Sequence, residues 1–123
     1  MRFSAAIVSL ALLVSTPALA GPAKEDCGAQ TNQTEMTACF NRDLDRANKK
    51  LNGVYEKRLE DMRDDPDGIK LLRAAERAWV DFRDRNCAAQ AHGEEGGSVY
   101  ATMVATCQIA MTDARTKEIQ LQN

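Results

Sequence analysis

The chain has 123 residues with 16 basic and 18 acidic side chains, a formal net charge of −2, and so lacks the positive field that nucleic acid or an anionic lipid surface selects. Its composition, 44% hydrophobic and 28% charged, is that of an ordinary globular domain. Four cysteines accompany a single histidine, without a Cys-x-x-Cys spacing, which argues against zinc.

Residues 1–20 read as a secretory leader: Arg2 supplies positive charge, Ala5 to Val14 form an apolar run too short to span a bilayer, and Ala18-Leu19-Ala20 is an A-x-A cleavage site. The mature protein is expected to begin at Gly21, as one domain over residues 21–123 and without a membrane anchor. A lipoprotein leader would place a cysteine directly after the cut, whereas the first cysteine is Cys27. Removing the leader's one arginine leaves 15 basic against 18 acidic side chains, a net charge of −3. An even cysteine count in an exported chain of this size predicts two disulfides, and periplasmic or secreted residence.

Gly21 to Thr31 is polar and without period, an extended lead-in. Asn32 then stands three residues before Glu35, the capping-box spacing. From there Met36, Phe40, Leu44, Ala47, Leu51, Val54 or Tyr55, Leu59 and Met62 recur at helical spacing, which predicts a long first helix to about Arg63. Asp64-Asp65-Pro66-Asp67-Gly68 interrupts it, with Asp65 placed to cap a second helix from Pro66 to Ala91. In that helix Ile69, Leu72, Ala75, Trp79 and Phe82 mark an apolar face, and Arg73, Arg77, Asp81 and Arg85 fall on another at the spacing where side chains meet. His92-Gly93 is a stop, with Gly93 free to turn left-handed. Glu94-Glu95-Gly96-Gly97 is an acidic loop, and Ser98 is placed to cap a third helix bearing Tyr100, Met103 or Val104, Cys107, Met111 and Ala114 on one face.

The expected fold is therefore all-α, an antiparallel three-helix bundle with the first helix longest. In an up-down arrangement the four thiols gather toward one end. The smallest rearrangement pairs Cys27 with Cys39 and Cys87 with Cys107, two other connectivities remaining open.

Tyr55, Trp79 and Phe82 are expected in the core, since they share faces with Leu51 and Leu72. Arg83, Asp84 and Arg115 read as salt-bridge or helix-end anchors, and Asn52, which has no propensity reason to sit in a helix, as a cross-helix hydrogen-bonding group. Ser98 and His92 are the sole serine and histidine after the leader, but they crowd one loop without a nucleophile elbow, so the chain does not read as an enzyme. The acidic run fails as a calcium loop, with Arg63 at the first ligand position and Arg73 at the closing one. No metal or other cofactor is expected.

The run Leu72-Arg73, Glu76, Ala78-Trp79, Phe82-Arg83-Asp84 and Cys87 resembles the central signature of the LprI-type lysozyme inhibitors, small secreted bacterial proteins. Gln33-Thr34-Glu35-Met36 before Cys39, Leu51-Asn52 with Tyr55, Gly96-Gly97-Ser98, and Cys107 followed by Met111-Thr112 and Arg115 resemble the family's other blocks, in order. Glu76 departs from the pattern, since related sequences often carry glutamine there. The resemblance implies a partner, a c-type lysozyme, and a role in protecting peptidoglycan by occluding the lysozyme cleft. The projecting loop with Glu94, Glu95, Gly96, Gly97 and Ser98 is the expected contact. The rival expectation is a non-enzymatic adaptor of the cell envelope that binds another exported protein.

Overall fold

The computed structural model describes residues 25–122. The expected leader and its cleavage at Ala20-Gly21 lie outside the described residues. A 3₁₀ turn at Cys27–Ala29 precedes α1 (Gln33–Asp61) and α2 (Pro66–Ala91); a second 3₁₀ turn at His92–Glu94 leads to α3 (Tyr100–Leu121). The fold is the expected all-helical bundle.

Local chemistry sets the helix limits. Asn32 accepts the Glu35 backbone N–H at 2.9 Å, but the Glu35 carboxylate takes the Thr31 hydroxyl instead of closing the box. α1 ends at Asp61, slightly short of Arg63, where the Met62 N–H turns back to the Arg58 carbonyl. Asp65 accepts the Gly68 N–H at 2.9 Å with Pro66 opening the helix, so α2 has the expected bounds. Its end differs from expectation: among the described residues only Gly96 has a positive φ, 82°, so Gly93 is not the left-handed closer and α2 tightens into the 3₁₀ turn. Ser98 does not cap α3 either. The cap position is Val99, whose carbonyl receives the Met103 N–H, and no side chain bonds to the helix start.

α3 packs against both α1 and α2, while the backbones of α1 and α2 hardly approach each other. α3 buries Thr102, Ala105, Thr112, Arg115, Thr116 and Ile119, which share one face roughly 140° wide that is more polar than apolar. At the start of the pair, Gln33 donates to the Thr102 hydroxyl at 2.6 Å and Thr37 lies 2.8 Å from it, which fixes α1 and α3 in the same direction. Further along, Ala47 and Leu51 of α1 are buried, as is Ile119 of α3. The buried hydroxyl of Thr116 bonds to the Thr112 carbonyl, and among the described residues no buried side-chain nitrogen or oxygen lacks a partner. A core this polar is stable only because it is satisfied.

Both disulfides have the pairing that the smallest rearrangement requires: Cys27–Cys39 with Cα atoms 5.5 Å apart and Cys87–Cys107 at 5.6 Å. The first fastens the lead-in to α1, helped by the Glu25–Arg42 ion pair at 2.8 Å. The second staples α2 to α3 below the loop that joins them.

The α2 face is where expectation and structure part. Phe82 is 58% exposed and Ala75 lies in solvent, while Tyr55 and Trp79 are half-buried. The buried residues of α2 are Arg83, Cys87 and Ala91. Because α2 leans on α3 without a close α1 backbone on its other side, only a narrow stripe is covered, and Phe82 lies about 100° around the helix from buried Arg83. Asn52 is also exposed. Asn48, one turn earlier, makes the bond between helices, accepting from Arg83 at 3.0 Å.

Candidate functional site

Three places on the molecule concentrate polar chemistry, and the residues singled out from the sequence divide among them.

The first is the signature cluster around Trp79. Arg83 projects from the next turn of α2 into the seam, where its guanidinium donates to Asn48 of α1 at 3.0 Å, to the Thr112 hydroxyl of α3 at 3.1 Å and to Asp84 at 2.9 Å. Asp84 in turn accepts from Gln108 of α3 at 2.9 Å. Arg115 comes from α3, bonded to Glu76 at 2.9 Å and to Glu118 at 2.8 Å. Its charge carbon lies 5.8 Å from the Trp79 ring centroid and that of Arg83 lies 5.3 Å away, so two cations stand within cation–π range of the indole. Burial alone would lower the Arg115 pKa, but hydrogen bonds and charge from Glu118 and Glu76 outweigh it and hold it above the ordinary arginine value. Every donor named here is spent on a neighbour. Arg83, Asp84 and Arg115 are thus anchors between helices, as their positions beside the core predict, and Glu76 is a full ion-pair partner in this cluster.

The second place is the loop between α2 and α3. Glu94 to Ser98 are all exposed. The loop is nevertheless tied to itself: the Glu95 N–H bonds to the His92 carbonyl at 3.1 Å, the Gly97 N–H to the Glu94 carbonyl at 2.9 Å, and His92 Nδ1 lies 3.0 Å from the Glu95 carboxylate. Gly96 needs its left-handed φ, and a side chain at Gly97 would come within 3.0 Å of the Glu94 carbonyl. The two glycines make the turn tight. Ser98 then borders a surface hollow of about 480 Å³, with Gln33, Thr37 and Asn41 of α1 across from it.

The third place escaped sequence reasoning. At the opposite end α1 and α2 form an open groove of about 540 Å³, lined by Tyr55, Leu59 and Val80 with Glu56, Arg73 and Arg77 at its sides. Tyr55 was expected in the core and lines this groove instead. No periodicity signals it, because it is made jointly by residues of two helices whose backbones hardly approach. Among the described residues no cluster of histidine, cysteine, aspartate or glutamate is arranged to hold a metal, and no helix is long and apolar enough to cross a membrane.

With this geometry in place, similarity to known proteins is informative. The family model described as lysozyme inhibitor LprI matches residues 24–119. An uncharacterized protein of Rhizobium meliloti (strain 1021), R02472, is 30% identical over 131 residues, covering 98% of this chain and 94% of its own length. Protein YecT of Escherichia coli (strain K12), also uncharacterized, is 24% identical over 104 residues, covering 74% of this chain and 64% of its own. The crystal structure of a DUF1311 family protein from Pseudomonas putida KT2440 superposes with a TM-score of 0.66 at 23% identity, covering 78% of this chain and 95% of that one, a likeness of fold.

Proposed function

The chain belongs to the lysozyme inhibitor LprI family, and from that membership we propose that it is an exported, non-catalytic inhibitor that shields peptidoglycan by seating the loop His92–Ser98 in the cleft of a c-type lysozyme. The observation that carries the reading is the loop itself, an acidic projection stiffened by its own hydrogen bonds. A stiff loop loses little entropy on docking. A lysozyme cleft holds two catalytic carboxylates on a protein that is cationic overall, so a mature inhibitor of net charge −3 is drawn toward it. Glu94 and Glu95 would face basic groups on the cleft rim, while Gly96, Gly97 and Ser98 offer backbone and hydroxyl donors with little bulk. The two disulfides suit the oxidising periplasm or exterior, where lysozyme is met.

Association kinetics test the loop. Glu94→Gln combined with Glu95→Gln is expected to slow association several-fold and to flatten its salt dependence, since those charges act over roughly a Debye length of 8 Å. Ser98→Trp is expected to leave association near the parent value and to speed dissociation at least about tenfold, because it acts only in contact. Ser98 does not cap α3, so this change leaves the helix start intact. Parent-like kinetics in both variants would remove the loop from the interface.

A further inference from the structure

α2 carries an apolar stripe that neither α1 nor α3 covers. Leu71, 71% exposed, and Phe82, 58% exposed, stand on it with exposed Ala75 and Ala78 between them. Single exposed apolar residues are common on any surface, but four at one helical face make a continuous seam.

We propose that this seam pairs with the same seam of a second copy, antiparallel, about a two-fold axis midway between Ala75 and Ala78. Such an axis sets residues opposite one another when their numbers add to a constant. Leu71 then meets Phe82 of the second copy, and Ala75 meets Ala78 of the second copy, all on the same sum. The small pair at the centre lets the helices close while each large side chain at an end packs over its opposite number. The charges beside the seam obey the same rule. Asp67 lies within a residue of the level of Arg85 of the second copy, and on the same flank Lys70 comes near the level of Asp81 of the second copy. All four are exposed in the single chain, where Arg85 and Asp81 are bonded to each other at 2.8 Å, so that Asp67 and Lys70 of the second copy join this pair as further partners. A parallel pairing would instead set this charged flank against the other one, where Leu72, Trp79 and Asn86 offer no opposite charge. It is this charge complementarity, met only in the antiparallel sense, that selects a second copy as the occupant. One helix pair buries less than the roughly 1,200 Å² of a standard stable interface, so the association is a weak, reversible one. The two loops lie at opposite ends of the pair and stay uncovered.

Sedimentation equilibrium of the oxidised mature protein, with no lysozyme present, tests this apart from the inhibitory reading. The parent is expected to pass from monomer to dimer in the range of about 10 µM to 1 mM. Phe82→Glu and Leu71→Glu are each expected to raise the dissociation constant at least about tenfold, with unchanged circular dichroism because both positions are exposed. Asp67→Arg is expected to weaken the dimer and the double variant Asp67→Arg with Arg85→Asp to recover it. A parent that stays monomeric to about 1 mM would overturn the proposal. So would a dimer indifferent to Phe82→Glu and Leu71→Glu, or a charge swap that fails to recover.

Discussion

Replacing Arg115 with alanine is expected to destabilise the domain by about 3 to 5 kcal/mol, the range for removing one partner of a buried ion pair. Arg115 and Glu76 are only 9% and 12% exposed at their side chains and meet through two guanidinium nitrogens. Truncation leaves the Glu76 carboxylate poorly hydrated and without its cation, and strips one face of Trp79. Since a domain of this size has roughly 5 to 15 kcal/mol of stability in total, urea unfolding should show a midpoint near the limit of a folded population. Arg115→Lys keeps the charge but not the fork and should fall between parent and alanine. Arg85→Ala is the control. Its pair with Asp81 is fully in solvent, and the melting temperature should hardly move. Equal melting of the Arg115 and Arg85 variants would contradict the anchoring role.

The second large effect is expected from Cys87→Ser combined with Cys107→Ser. That bridge closes a loop of 20 residues, and by the chain-entropy argument its loss costs about 3 kcal/mol, or roughly 12 to 24 °C in melting temperature for a domain near 100 residues. The bridge also holds α2 against α3 at the end where the His92–Ser98 loop departs, so the loop loses its footing as well as the fold its stability. Cys27–Cys39 closes a shorter loop of 12 residues and fastens a lead-in that packs mainly on α1, outside the contacts that hold α1, α2 and α3 together. Its double serine variant should therefore melt closer to the parent. The reverse order in a calorimetric comparison would show that the lead-in is integral to the core.

What was legible in the sequence and what was not follow from the range of the forces involved. Pro66 with Asp65 before it acts within one turn, and α2 begins there as expected. The helical period of α1 is likewise local, whereas the antiparallel arrangement brings all four thiols to one end and leaves the pairing of Cys87 with Cys107 as the smallest rearrangement among three. The covered face of α2 is a different matter. Leu71, Ala75, Ala78 and Phe82 form one helical stripe, and Leu72, Trp79, Arg83 and Cys87 form another about 100° away. The apolar face expected from the sequence, Ile69, Leu72, Ala75, Trp79 and Phe82, straddles both; the structure covers the second, burying Arg83 and Cys87 and half-burying Leu72 and Trp79, and leaves Ala75 and Phe82 exposed. Arg83 is tolerated inside because Asn48, Thr112 and Asp84 receive its donors, and those partners come from α1 and α3 as well as from α2. No reading of α2 alone supplies them. The same reason moved the cross-helix role from Asn52 to Asn48, one turn along the same helix. At the loop, Ser98 has the chemistry of a cap, yet Gly96 and Gly97 spend the chain's turn before it, so α3 starts at Tyr100. The groove beside Tyr55 is made by residues of α1 and α2 together, so neither helix read alone reveals it.

The central claim is inhibition. Purified, oxidised mature protein titrated against a fixed amount of a c-type lysozyme, with lysis of bacterial cell walls followed by turbidity, is expected to slow lysis progressively to a plateau near full inhibition, and the loop variants at Glu94, Glu95 and Ser98 are expected to need higher ratios. Lysis that proceeds at the uninhibited rate at every ratio would contradict the account and favour an envelope adaptor that binds another exported protein.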